Sequence, residues 1–116
     1  MWRQHFGPGC RVIGVDIEPA CRAYAEDGVD IVIGDQADAG FWADTLPNLP
    51  PLNVVIDDGG HQAHQQIASF ESIFPAMAPG GVYLCEDLHH RENGFDQYIQ
   101  ALGQHWNACQ IAPHRT

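Results

Sequence analysis

Four short runs of β-branched and other apolar residues punctuate the chain, and each closes on an acid: Arg11 to Ile17 (RVIGVDI), Val29 to Asp35 (VDIVIGD), Leu52 to Asp58 (LNVVIDD) and Gly81 to Asp87 (GVYLCED). Runs of this length that do not alternate apolar with polar positions predict strands buried on both faces. Between them the apolar residues fall near a 3.6-residue period. The signal is clearest over Gln62 to Met77, where Ile67, Phe70, Ile73, Phe74 and Met77 share a face. Shorter helical segments are expected over Ala20 to Glu26 and Ala37 to Leu46, with another over Arg91 to Trp106 carried by Phe95, Tyr98, Ile99 and Leu102.

Strand and helix therefore alternate, which predicts an α/β fold: a Rossmann-like parallel sheet of about four strands, flanked by helices and joined by right-handed crossovers. Pro50 and Pro51 mark the approach to the third strand, and Pro79-Gly80-Gly81 is expected to end the long helix in a turn. Residues 1–116 read as one domain, since a chain of 116 residues is too short for two.

Charge narrows the functional classes. Fifteen acids face five basic residues, a formal net charge of −10, which opposes binding to a phosphate backbone or to anionic lipid headgroups. No nucleic-acid or membrane partner is expected. No apolar run approaches the roughly 20 residues of a membrane span, and Met1 to Phe6 lack the apolar segment of a signal peptide. Cys10, Cys21, Cys85 and Cys109 are widely spaced without a C-x-x-C pair, so they read as reduced thiols of a cytoplasmic protein.

The acids are placed where an open parallel sheet binds ligands, in the crevice outside the carboxyl ends of its strands. Asp16, Asp35, Asp57, Asp58, Glu86 and Asp87 all fall there. Six carboxylates on one rim repel one another unless a cation or hydrogen-bond donors sit among them. Asp16 could accept hydrogen bonds from a ribose diol, or equally cap the segment that follows. Asp58, Glu86 and Asp87 follow strands that would be neighbours, and could converge on one magnesium ion, a cation that prefers oxygen ligands; a solvated acidic pair is the other reading of Glu86-Asp87. His61 lies beyond two acids and a glycine turn. A neutral imidazole there could take the proton of a substrate hydroxyl, as a general base, or could simply face solvent in a first helical turn. The glycines of Asp57-Asp58-Gly59-Gly60 would allow close approach of backbone and substrate. His64, His89 and His90 read as surface residues.

The segments VIGVDIEP, IGDQAD, VVIDDGGH and FPAMAPGGVYLCEDLH, taken together and in this order over about Met1 to His89, resemble the class I S-adenosylmethionine-dependent methyltransferases, and within them the metal-dependent macrolide sugar O-methyltransferases. That resemblance implies that Asp16 binds the ribose hydroxyls of S-adenosylmethionine, that Asp35 with Gln36 lies by the adenine, and that Asp57 borders the methionine end. It implies Asp58, Glu86 and Asp87 as magnesium ligands and His61 as the base that deprotonates a sugar hydroxyl. The partner would be a small-molecule substrate.

The resemblance also implies a first strand and a glycine-rich cofactor loop upstream of Met1, for which Gly7-Pro8-Gly9 is no substitute. The domain is thus expected to be N-terminally truncated relative to the family. That first strand would sit between the first and third runs. Its absence predicts either that those two strands close up on each other or that another chain supplies the contact in a homo-oligomer. A catalytically incompetent fragment, serving as a binding or oligomerisation module, is the competing reading. Proteins described as cephalosporin hydroxylases share part of the motif set, but these residues show no oxidative chemistry.

Overall fold

In the computed structural model, residues 6, 7, 9–60, 62–86 and 94–103 are described. Four strands alternate with helical segments: β1 (Val12–Asp16), a 3₁₀ segment (Pro19–Tyr24), β2 (Val29–Ile33), α1 (Ala39–Thr45), β3 (Leu52–Asp57), α2 (Ala63–Ile73), β4 (Met77–Cys85) and α3 (Phe95–Gly103). Both strand pairings are parallel, so the α/β class read from the sequence holds.

The four strands divide into two pairs, β1 with β2 and β3 with β4. β1 and β3 do not close up on each other; each keeps one edge without a strand partner among the described residues. The outward N–H and C=O groups of such an edge are left to water, side chains or another strand.

Three elements differ from the sequence expectation. The segment after β1 is a 3₁₀ turn and not an α-helix, because Pro19 opens it and none of its residues is buried, leaving no apolar face to drive a longer helix. α2 stops at Ile73, and Pro75 follows within the 3₁₀ segment Phe74–Ala76, so Met77 begins β4 and does not end the helix. Pro79-Gly80-Gly81 then lies inside β4 as an irregularity: two steps along β3, Leu52 to Val54, match five along β4, Met77 to Val82. Gly80 takes φ +80°, a backbone conformation that favours glycine.

The strands are also less buried than their composition suggests. Side chains alternate across a strand, and only one face of the β3–β4 pair is covered. There Tyr83 and Cys85 pack against Phe70 of α2 and Phe95 and Ile99 of α3. Phe70 stacks on Phe74 at 4.8 Å between ring centroids and meets the Tyr83 ring edge-on at 5.2 Å. On the opposite face Val54, Val82 and Leu84 are 43%, 50% and 48% exposed. The expectation of helices on both faces fails there because no helix of the described chain reaches that side.

Candidate functional site at the carboxyl ends of the strands

Three strand ends repeat one local device. Asp16 accepts the N–H of Glu18 at 2.9 Å, Asp35 that of Ala37 at 2.9 Å, and Asp57 that of Gly59 at 3.2 Å. An aspartate bonded to the amide two residues on makes a compact turn and lets the chain leave the sheet sharply. Asp16 thus makes a local turn bond to the backbone and does not itself cap the segment that follows. Its carboxylate is exposed beside the opening of the 3₁₀ segment, whose cap is Glu18, accepting from the Ala20 N–H at 3.2 Å. Beside it, partial burial and the charges of Asp16 and Glu18 push the Cys21 thiol up from its ordinary value.

Although β1–β2 and β3–β4 are separate pairs, their carboxyl ends meet. Gln36, just past β2, reaches across to Asp57 at the end of β3: its Nε2 stands 3.3 Å from each carboxylate oxygen, 2.9 Å from Ser69 Oγ and 3.4 Å from the carbonyl of Gln65. Its Oε1 accepts the Gly60 N–H at 2.5 Å. On the other side, the Glu86 N–H donates to the Asp57 carbonyl at 2.9 Å, which sets the ends of β3 and β4 side by side. The structure therefore brings Asp35, Gln36, Asp57, Asp58 and Glu86 to one border, with Asp16 on the adjoining end of β1, whose carbonyl accepts the Gly34 N–H at 2.9 Å.

Asp57 is half-buried under this network. Burial pushes its carboxyl above the ordinary carboxylate range, while the hydrogen bonds from Gly59, Gln36 and Tyr83 pull it down and the charge of Asp58 raises it further. The Tyr83 hydroxyl lies 3.4 Å from Asp57 Oδ2. Burial and that negative neighbour push the phenol well above its usual value, so it stays protonated and able to donate.

The two glycines of the turn are closely approached by side chains, and neither takes a positive φ. A Cβ on Gly59 would overlap Gln36 Oε1, and one on Gly60 would overlap the amide of Gln65. The sequence expectation was close approach of backbone and substrate; among the described residues the groups lying against these glycines are the amides of Gln36 and Gln65. Gln65 serves the helix as well, its Oε1 accepting the Gln62 N–H at 3.3 Å.

His61 and Asp87 lie outside the described residues, as do His89, His90 and Cys109. Among the described residues no group of three His, Cys, Asp or Glu side chains gathers tightly enough to hold a metal ion; Asp58 and Glu86 are the two predicted ligands that are placed. Sequence reasoning missed the parts played by Gln65, Ser69 and Tyr83. A trace was present: Gln66 and Ser69 interrupt the helical stripe that also carries Phe70 and Ile73, and both are almost completely buried.

No family model matches the chain. It is 42% identical over 88 residues to the 8-demethyl-8-(2-methoxy-alpha-L-rhamnosyl)-tetracenomycin-C 3'-O-methyltransferase of Streptomyces olivaceus, covering 76% of this chain and 22% of the relative. To the demethylmacrocin O-methyltransferase of Streptomyces fradiae it is 39% identical over 88 residues, again 76% of this chain and 22% of the relative. The fold superposes on the MycE methyltransferase from the mycinamycin biosynthetic pathway, in complex with Mg, SAH and mycinamycin VI, with a TM-score of 0.79 and 27% identity; 95% of this chain and 32% of that one are covered.

The chain is homologous to the macrolide sugar O-methyltransferases. It spans about a fifth of the length of the curated relatives and about a third of the solved MycE chain. The rest of those methyltransferases has no counterpart in these 116 residues.

Proposed function

We propose that the chain is the cofactor- and metal-binding segment of an O-methyltransferase that uses S-adenosylmethionine and magnesium and acts on a hydroxyl of a sugar or similar small metabolite. What supports this most directly is the 2.9 Å bond from the Glu86 N–H to the Asp57 carbonyl, which sets Asp58 and Glu86 on adjoining strand ends. The donor set suits the cation: carboxylate oxygens on successive strand ends are what a small, hard divalent ion prefers. Asp58, Glu86 and Asp87 would hold it. Asp16 and Asp35, exposed at the ends of the other pair, would face the nucleoside portion of the cofactor, and Asp57 its methionine end.

S-adenosylmethionine, when bound, supplies an electrophilic methyl group on sulfonium sulfur. The residues of this chain position the acceptor and manage its proton. The carboxylates of Asp58, Glu86 and Asp87 would hold the cation, and the cation would supply the positive charge that lowers the pKa of an acceptor hydroxyl. His61, three residues beyond Asp58, would accept that proton as the oxygen bonds to the methyl carbon and the carbon–sulfur bond breaks, with S-adenosylhomocysteine leaving. The Tyr83 phenol and the Gln36 amide hydrogen-bond Asp57 within a half-buried setting.

The open edges of β1 and β3 motivate a second proposal inherited from the sequence, a homo-oligomer in which another copy contributes to those edges; sedimentation equilibrium showing only monomer at high concentration contradicts it. The location we propose is the cytoplasm. Among the described residues no helix is long and apolar enough to cross a membrane.

Titration calorimetry with SAH, in the presence and absence of magnesium, tests the reading. Saturable heat that strengthens with magnesium is expected. No heat under either condition at high protein concentration overturns it. If binding is found, His61→Ala should keep cofactor affinity while abolishing methyl transfer to a hydroxyl acceptor, and unchanged turnover would remove His61 from its role.

A further inference from the structure

We infer that Gln36 is a positioning residue of this site: its side-chain amide sets the conformation of the Asp57-Asp58-Gly59-Gly60 turn, and through it the aim of Asp58, and is not offered to the adenine of a bound cofactor. The part of this inference that concerns metal affinity rests on the function proposed above; the part that concerns the turn does not.

The inference follows from how completely the amide is engaged. Nε2 carries two hydrogens and has four acceptor atoms within 3.4 Å, both Asp57 oxygens, Ser69 Oγ and the Gln65 carbonyl. Oε1 takes the Gly60 N–H at 2.5 Å. The backbone of the same residue is fixed too, its carbonyl accepting Trp42 Nε1 at 2.9 Å and Ser69 Oγ at 3.3 Å. A ligand that recruited the amide would have to break bonds in a half-buried network, at the cost of leaving buried partners unsatisfied.

The glycines support the same assignment. Gln36 Oε1 lies where a Cβ on Gly59 would stand, so a side chain there would displace the amide: turn and amide are packed against each other. The connection also crosses the gap in the sheet. Among the described residues no strand pairing joins β2 to β3, and the Gln36 side chain ties the loop after one to the end of the other. Residues that orient ligands of a metal in this manner usually matter about as much as the ligands' own geometry, with losses of roughly 10–100-fold in affinity on mutation.

Nuclear magnetic resonance on the labelled wild-type chain tests the contact itself. A scalar coupling across the hydrogen bond between the Gly60 amide nitrogen and the Gln36 side-chain carbonyl carbon is expected, together with slow exchange of the Gly60 amide. Gln36→Met, close in shape and without the amide, should abolish the coupling and speed that exchange. Magnesium affinity should drop about tenfold while SAH affinity is retained.

Absence of the coupling in the wild type overturns the inference. So does a Gln36→Met variant that loses SAH affinity while keeping magnesium affinity, the pattern of an adenine contact. Should Gln36→Met fail to fold, the wild-type coupling still decides. A wild type that takes up neither magnesium nor SAH defeats the proposed function alone, and the Gly60 signals continue to judge Gln36.

Discussion

The indole N–H of Trp42 donates to the backbone carbonyl of Gln36 at 2.9 Å, tying the inner face of α1 to the loop that bridges the two strand pairs. Trp42 is 5% exposed and its ring meets Phe41 edge-on at 4.8 Å, so it provides both apolar cover and a polar contact. The two can be separated by substitution. Trp42→Phe keeps much of the buried ring and loses the donor, but Ser69 Oγ, at 3.3 Å, still serves the same carbonyl. A loss of about 0.5–1.5 kcal/mol is expected for Phe, and about 3–5 kcal/mol for Ala, which also leaves a cavity. Urea unfolding midpoints measure both. Equal losses for the two variants would mean that the hydrogen bond, and not the packing, is what Trp42 supplies.

Gly60 tests the fit between turn and helix. Gly60→Ala puts a methyl group where the Gln65 amide lies, displacing the group that accepts the Gln62 N–H at the start of α2. Displacing that cap should cost about 1 kcal/mol. Truncating Gln65 to Ala in the same chain removes the clash but not the lost cap. The double variant should therefore be less destabilised than the sum of the two single changes, a coupling that a double-mutant cycle reads directly. Strict additivity would show that the turn yields without engaging Gln65.

Alkaline pH should weaken the contact between α2 and α3. The Tyr98 hydroxyl donates to Glu71 Oε1 at 2.7 Å. Burial, followed by that hydrogen bond and the charge of Glu71, raises its pKa to about 12. An unfolded tyrosine titrates near about 10. The neutral phenol is thus the form that folding favours: the contribution is complete below about pH 10 and is lost as pH rises through about 12. Tyr83 is shifted in the same direction by burial and by Asp57. Tyr98→Phe should start less stable at neutral pH and show a shallower decline over the alkaline range, followed by denaturant midpoints with tyrosinate absorbance as the titration marker. Parallel declines in the two proteins would assign the alkaline loss to other groups.

Much of the architecture was legible because it depends on local pattern. The runs around Val12, Val29, Leu52 and Val82 are too short and too β-branched to be helices, and all four are strands. Phe70 and Ile73 were placed on the inner face of α2 by period alone, and both are buried. The acids at the strand ends were legible for the same reason, since parallel pairing sends every carboxyl end to one border. What the pattern did not carry was anything set by distant partners. A run such as Gly81 to Asp87 does not disclose that only the Tyr83 and Cys85 side will be covered. Nor does Gln36, a polar residue after a strand, disclose that its amide will be enclosed by Asp57, Gly60 and Ser69, residues 21, 24 and 33 positions away.

The uneven cover of β4 gives the sharpest test, because three consecutive residues should respond differently. Val82 and Leu84 point to the exposed face, whereas Tyr83 between them packs on Phe70 and reaches Asp57. Threonine suits a strand and keeps the backbone preference, so Val82→Thr and Leu84→Thr should each change stability by no more than about 0.5 kcal/mol in dilute solution. Tyr83→Ala should cost about 3–5 kcal/mol by cavity formation next to Phe70. An apolar face of this kind also promotes association, and the two threonine variants should lower any concentration dependence of the unfolding midpoint. If instead they destabilise the dilute protein as much as Tyr83→Ala does, that face is covered in solution and the one-sided packing of β3 and β4 is wrong.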